Sequence, residues 1–92
     1  MIALLLVDDH EIVRRGLKEL LEAAGGITVA AEAGSLEEAL ALDISAIDVA
    51  VLDVRLPDGS GGDLCRELHQ SRPELACLML TSFADAEALA AS

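Results

Sequence analysis

Three apolar runs of the sequence each end in polar side chains that could take part in chemistry. These side chains are Asp8 and Asp9 after the first run, Asp53 at the end of the second, and Thr81 and Ser82 at the end of the third. Continuous apolar runs of this length are typical of strands buried on both faces of a parallel sheet. The carboxyl ends of parallel strands lie at one edge of the sheet, where ligands bind in open α/β folds. If the strand order reverses between the strands of the first and second runs, we expect the acidic residues to meet at that point.

Carboxylates that meet at such an edge repel one another, so either one takes up a proton or a cation joins them. Hard oxygen ligands in an open, hydrated site suit Mg²⁺, which keeps several waters and takes one or two carboxylates. A carboxylate beside Mg²⁺ is a nucleophile toward an activated phosphoryl group, because the metal neutralises charge on the transferred oxygens. In the simpler alternative, Asp8 or Asp9 only caps the first helix, and Asp53 and Thr81 only end their strands.

Periodicity and capping signals place the elements that must position these residues. Strands are predicted over Ile2–Val7, Ile27–Ala31, Val49–Asp53 and Leu75–Thr81. Helices are predicted from a cap at Asp8 or Asp9 to Gly25, from the capping box at Ser35 to about Leu42, from about Asp63 to Ser71, and from Ala86 to Ala91. This alternation indicates a parallel sheet with helices on both faces, and Pro57 to Gly62 is predicted as a loop.

Composition limits the classes of partner. The 92 residues form one small domain with a formal net charge of −11, which argues against binding of nucleic acid or an anionic membrane by this segment alone. No run is long enough for a membrane-spanning helix or a secretory signal. Cys65 and Cys77 form no metal or disulfide pattern, so we expect two buried thiols in a reducing cytoplasm. His69 is expected to face solvent from its helix.

Three short motifs resemble the receiver domain of bacterial two-component response regulators. They are Leu6-Val7-Asp8-Asp9-His10, the run Leu52-Asp53-Val54-Arg55-Leu56-Pro57 with Gly61 further on, and Leu80-Thr81-Ser82. The first motif and the segment Arg14–Leu17 are similar to regulators of the LuxR/NarL type, which carry a helix-turn-helix output domain. The second motif, continued to Gly59, is similar to actinobacterial dormancy regulators of that group. The resemblance covers essentially the whole chain.

The resemblance implies a role for each matched residue. Asp53 would be the phospho-acceptor, and the ligands of Mg²⁺ would be the carboxylates of Asp8, Asp9 and Asp53 with the main-chain carbonyl of Arg55. Thr81 would supply the switch hydroxyl, and Pro57 and Gly61 would shape the loop over the site. The phosphoryl donor would be a sensor histidine kinase, and the domain would be a signalling domain, not an enzyme, that assists its own phosphorylation and dephosphorylation.

The resemblance also implies a flavodoxin-like, doubly wound α/β/α fold of five strands. In that family the fifth strand ends in a lysine that pairs with the phosphoryl group. The chain stops at Ser92, and its only lysine, Lys18, belongs to the polar face of the first helix. We therefore expect residues 1–92 to be an incomplete receiver domain of about four strands, without that lysine and without the DNA-binding output domain that would control transcription.

Truncation has a predicted consequence for association. With the family's strand order 2-1-3-4-5, the fourth strand, Leu75–Thr81, becomes an apolar, uncharged edge without proline. Such an edge favours pairing with another chain, so we expect a homodimer or other self-association through it.

Other function classes fit the pattern less well. A phosphatase similar to haloacid dehalogenases needs a second aspartate two residues after the nucleophile, where this chain has Arg55. A calcium loop starting at Asp53 fails because Arg55 and Pro57 occupy ligand positions and Leu64 replaces the closing glutamate. A pseudo-receiver that acts only in dimerisation stays open as an alternative.

Overall fold

The structure, a computed structural model, describes residues 1–80 of the chain. Its elements are β1 (Ile2–Val7), α1 (Glu11–Ala23), β2 (Ile27–Ala33), α2 (Leu36–Leu40), β3 (Val49–Asp53), β4 (Arg55–Leu56), β5 (Gly59–Ser60), α3 (Gly61–Ser71) and β6 (Ala76–Leu80). Thr81, Ser82 and the helix predicted at Ala86–Ala91 lie outside the described residues. No helix in the described part is long and apolar enough to cross a membrane.

The main sheet has the predicted parallel arrangement. Its strand order is β2-β1-β3-β6, so the fourth strand of this sheet is β6. β2 lies on one side of β1 and β3 lies on the other, so the strand order reverses between β1 and β3. The crevice at the carboxyl ends of these two strands is therefore the topological switch point, where ligands bind in such sheets. The register pairs Val7 with Leu52 and Asp53 with Leu80, which brings the carboxyl ends of β1, β3 and β6 to one edge.

The helices cover both faces of the sheet. Alternate residues of β1 point to opposite sides, because successive side chains of a strand do so. On one side Leu4 and Leu6 pack with Leu17 and Leu21 of α1. On the other side an apolar cluster joins the sheet to α2 and α3; it includes Leu5, Val7, Leu52, Ala39, Leu64 and Leu68. The three-layer, doubly wound α/β/α prediction is therefore confirmed.

The start of α1 differs from the prediction. The N-cap residue is His10, and no side chain caps this helix, so the expected capping by Asp8 or Asp9 is wrong. Asp8 instead accepts a hydrogen bond from the His10 backbone N–H at 2.8 Å, just before the first helical turn. The predicted end at Gly25 is confirmed, because Gly25 and Gly26 adopt φ angles of 81° and 77°, which favour glycine.

The capping box of α2 is present in a modified form. The Ser35 hydroxyl accepts from the Glu38 N–H at 3.1 Å, while the Glu38 carboxylate accepts from the N–H of Gly34 at 2.5 Å. Further capping comes from Asp58, whose two carboxylate oxygens accept from the N–H groups of Leu36 and Glu37 at 2.9 and 3.0 Å. The helix is shorter than predicted, ending at Leu40 and not near Leu42.

The segment predicted as a loop after Asp53 is partly ordered as a hairpin. β4 and β5 pair antiparallel across the turn at Pro57 and Asp58. The next helix, α3, begins at Gly61, two residues before the predicted start, because the Ser60 hydroxyl accepts from the Asp63 N–H at 3.0 Å and caps it there. This arrangement places the start of α3 close behind Asp53.

Candidate functional site

The structure brings together the acidic residues that follow β1 and end β3. One ligand atom from each of Asp8, Asp9, His10 and Asp53 lies within 4.8 Å of the others. Asp8 and Asp9 come directly after β1, and Asp53 is the last residue of β3, so the meeting follows from the pairing of these neighbouring strands. We refer to these four residues as the acidic cluster.

Two of the three carboxylates of the acidic cluster are buried. Asp8 is 2% exposed and Asp53 is 7% exposed, while Asp9 is exposed. The backbone of Asp8 is fixed on both sides: its N–H donates to the carbonyl of Ala33 at 3.1 Å, and its carbonyl accepts from the Arg14 guanidinium at 2.5 Å. Buried carboxylates gathered in this way repel one another unless one takes up a proton or a cation joins them.

Both burial and neighbouring charges change the pKa of the Asp53 carboxylate. Burial raises its pKa most; the Arg55 N–H, which donates to Oδ1 at 3.4 Å, opposes this in part, and the charges of Asp8 and Asp9 raise the pKa further. The other oxygen, Oδ2, lies 4.0 Å from Nδ1 of His10. A cation at this point would favour the ionised form of Asp53, which is the nucleophilic form.

His10 lies among the carboxylates with most of its side chain exposed. Its Nδ1 is 3.0 Å from Asp8 Oδ1 and 3.1 Å from Asp9 Oδ1. The hydrogen bond with Asp8, followed by the charge of Asp9, raises the pKa of the imidazole. When it is protonated, His10 places a positive charge beside the three carboxylates.

Gly61 lies directly against the backbone of Asp53. A Cβ atom at position 61 would be 2.3 Å from the Asp53 carbonyl oxygen and 3.1 Å from Sδ of Met79, so no larger residue fits without a shift. The Gly61 N–H also donates to the Val54 carbonyl at 3.0 Å. Pro57, by contrast, is exposed in the β4–β5 turn and is not in the acidic cluster.

Three further residues considered in the sequence analysis are Arg55, Thr81 and Lys18. Arg55 is the first residue of β4, two residues after Asp53. Thr81 lies outside the described residues, but the residue before it, Leu80, pairs with Asp53, and its carbonyl accepts from the Val54 N–H at 3.1 Å. Lys18 lies on α1 with its Nζ 3.7 Å from a Glu32 carboxylate oxygen.

Several contacts were not expected from the sequence. The Arg14 side chain is only 20% exposed, and besides donating to the Asp8 carbonyl it pairs with Glu32 at 3.2 Å. His69 does not simply face solvent, because its Nε2 lies 2.7 Å from the Leu75 carbonyl and its ring contacts both cysteine sulfurs. The thiols of Cys65 and Cys77 are half-buried, not fully buried.

The oxygen atoms of the acidic cluster fit a small divalent cation. Three carboxylates share one edge of the sheet, and hard oxygen ligands with space for water are what Mg²⁺ prefers. Burial first, and then the charges of Asp8 and Asp9, raise the pKa of Asp53, and a divalent ion at this point would lower that pKa.

Comparison with known proteins supports the same interpretation. Residues 4–92 match the family described as the response regulator receiver domain. The chain is 54% identical over 90 residues to the DNA-binding transcriptional activator DevR/DosR of Mycobacterium tuberculosis, covering 97% of this chain and 42% of that protein. It thus spans about two-fifths of the length of this curated relative.

Solved structures with the same fold include two response regulators. A LuxR-family two-component response regulator from Aurantimonas sp. SI85-9A1 has a TM-score of 0.81 and 36% identity, over 86% of this chain and 57% of that one. The response regulator MaeR bound to beryllium trifluoride has a TM-score of 0.75 and 26% identity, over 89% of this chain and 68% of that one. With its matched residues, strand order and acidic edge all in agreement, the chain belongs to the response regulator receiver domain family.

Proposed function

We propose that this chain receives a phosphoryl group on Asp53 from a sensor histidine kinase in a reaction that depends on Mg²⁺. The observation that carries the proposal is the meeting of Asp8, Asp9 and Asp53 at the carboxyl edge of the sheet, with Asp53 almost fully buried. Family membership supports it, as does the related MaeR structure, whose ligand is beryllium trifluoride.

The residues that would hold Mg²⁺ are the carboxylates of Asp8, Asp9 and Asp53 and the main-chain carbonyl of Arg55. The oxygen chemistry and the clustering of the three carboxylates fit the ion, and Arg14 and Ala33 hold the Asp8 backbone in place. When bound, Mg²⁺ would offset the charge of the carboxylates and of the transferred phosphoryl oxygens.

The chain's own contribution to the reaction is a positioned nucleophile. One oxygen of ionised Asp53 attacks the phosphorus of the donor; a P–O bond forms to Asp53 while the donor's P–N or P–O bond breaks, and the leaving group departs with that electron pair. The Arg55 N–H orients the carboxylate through Oδ1. Gly61 leaves room for the Asp53 backbone by lacking a side chain.

We further propose that Thr81 supplies a switch hydroxyl to the phosphoryl group. Leu80, the residue before Thr81 in the sequence, is paired with Asp53 in the sheet, and this supports the proposal. The resulting shift would act on β6 and on an output domain, since the relative DevR/DosR is a DNA-binding transcriptional activator of which this chain spans 42%. The unpaired cysteines fit a reducing cytoplasm, where such a regulator would work.

Phosphorylation by a small donor tests this function directly. Incubation with acetyl phosphate and Mg²⁺ should add one phosphoryl group, seen by intact-mass spectrometry, and chelation of the metal should prevent it. Asp53→Asn should abolish the adduct, whereas Asp58→Asn, an exposed carboxylate in the nearby turn, should keep it. Persistent labelling of the Asp53→Asn protein would show that another residue is the acceptor.

A phosphorylation-independent dimerisation module is the second candidate. Within residues 1–80, β6 is at the end of the sheet, and its Leu78 and Met79 are 59% and 47% exposed. We propose that the chain self-associates through this strand. Sedimentation of the unphosphorylated protein checks this: a dimer at micromolar concentration is expected, and a strictly monomeric species would contradict it.

A further inference from the structure

A second cluster of metal-ligand side chains lies between α3 and β6. Cys65 and His69 are four residues apart on α3, which puts them on one face of the helix, and Cys77 is the second residue of β6. One ligand atom from each lies within 4.8 Å of the others. We refer to these three residues as the thiol–imidazole cluster; it shares no residue with the acidic cluster.

The hydrogen bonds of His69 fix its ring in a form suited to metal binding. The Leu75 carbonyl can only accept, so His69 Nε2, at 2.7 Å from it, carries the hydrogen of the neutral ring. Nδ1 then keeps its lone pair, and it lies 3.7 Å from the Cys65 sulfur. A backbone carbonyl that accepts the second N–H is the usual support for a metal-bound histidine.

The separation between His69 Nδ1 and Cys65 Sγ is close to that between two ligands of a tetrahedral ion. Nitrogen and sulfur ligands of Zn²⁺ are about 3.5 Å apart, given bond lengths of about 2.0 and 2.3 Å. The observed separation of 3.7 Å between His69 Nδ1 and Cys65 Sγ is near that value. The Cys77 sulfur lies 3.6 Å from Nε2, the nitrogen that donates to Leu75, so Cys77 joins an ion held by Nδ1 and Cys65 only after rotation of its side chain or of the imidazole.

We propose that Cys65, His69 and Cys77 form a binding site for a thiophilic divalent cation of the Zn²⁺ class, with water as the fourth ligand. Two sulfurs and one imidazole nitrogen select Zn²⁺ over Mg²⁺, because soft ligands disfavour hard cations. All three residues are half-buried, so the ion can enter from solvent. Binding replaces the two thiol protons, which pass to the buffer, and ties α3 to the strand that leads to Thr81.

Cobalt titration of the reduced chain tests the site. Co²⁺ replaces Zn²⁺ in such sites, and its thiolate charge-transfer absorption can come only from Cys65 and Cys77, the only cysteines present. We expect saturation at one Co²⁺ per chain and loss of the band when Zn²⁺ is added. Cys65→Ser and Cys77→Ser should each weaken binding about tenfold or more, and so should His69→Gln, while Asp53→Asn should leave the band unchanged.

A second measurement covers the case in which a cysteine variant does not fold. In the unaltered chain, Zn²⁺ should slow alkylation of both thiols, as read by peptide mass spectrometry. Absence of the cobalt band in the reduced, folded chain would overturn the proposal. A band that saturates at one ion per two chains would also overturn it, because the ion would then be shared between molecules.

Discussion

The acidic cluster and the thiol–imidazole cluster differ in ligand chemistry and in how the fold builds them. The acidic cluster offers hard carboxylate oxygens at the open edge of the sheet, where β1 and β3 end. The thiol–imidazole cluster offers soft sulfur and nitrogen atoms between α3 and the beginning of β6. This small domain therefore contains two separate groups of potential metal ligands. The chemistry of the ligands should decide which cation each cluster binds.

Removal of one ligand from each cluster tests whether the two metal sites are independent. Asp9→Asn is suitable because Asp9 is exposed and its loss leaves the buried Asp8 in place. It should weaken Mg²⁺ binding by about ten- to a hundredfold and leave the cobalt–thiolate band intact. Cys77→Ser should weaken binding of the thiophilic metal and leave Mg²⁺ binding unchanged. Isothermal titration with each metal measures both; equal effects of one variant on both metals would contradict two independent sites.

A smaller effect is expected from a substitution at Gly61, beside the acidic cluster. A Cβ atom added there would clash with the Asp53 carbonyl oxygen and approach Met79 of β6, so Gly61→Ala should lower the free energy of unfolding by about 1–3 kcal/mol. Gly62→Ala is the matched control, since its new Cβ would meet nothing closer than 3.7 Å. Urea denaturation measures both. Equal stability of the two variants would show that the close approach at Gly61 is relaxed without cost.

The smallest effect concerns the turn beside the acidic cluster. The backbone N–H groups of Glu37 and Leu36 lower the pKa of Asp58 below its ordinary 3.8. The ionised Asp58 carboxylate therefore stabilises the fold above pH 3.8. This contribution is lost as the pH falls through the lowered pKa of the folded state. Asp58→Asn should lower the melting temperature at pH 7, and it should lower it by less below pH 3.8. The control variant Glu67→Gln, which changes an exposed carboxylate on α3, should leave the melting temperature unchanged at both pH values. A loss of stability independent of pH would contradict this origin.

The two clusters also differ in how far they could be predicted from the sequence. Asp8, Asp9 and Asp53 were predictable, because apolar runs mark the strands and parallel strands end at one edge. The thiol–imidazole cluster was not, because it depends on how α3 packs against β6 and on the register that places Cys77 opposite Ala50. The spacing of Cys65 and His69 on one helix was the only sequence signal for it.

The details of the acidic region depend on contacts that sequence patterns do not encode. His10 becomes the N-cap residue of α1 and enters the acidic cluster because Asp8 holds its backbone N–H. The β4–β5 hairpin has strands of two residues, too short for any periodicity, and Asp58 caps α2 from 21 and 22 residues away. Strand order and layers follow from hydrophobic pattern, but these side-chain contacts follow from tertiary packing.

The central claim is that Asp53 is the residue that carries the phosphoryl group. The direct measurement is reductive trapping of the acyl phosphate with borohydride after treatment with acetyl phosphate and Mg²⁺, followed by tandem mass spectrometry of the peptides. The account predicts a Mg²⁺-dependent modification at position 53 alone. Modification at Asp8, Asp9 or Asp58, or none in a folded chain that binds Mg²⁺, would contradict it.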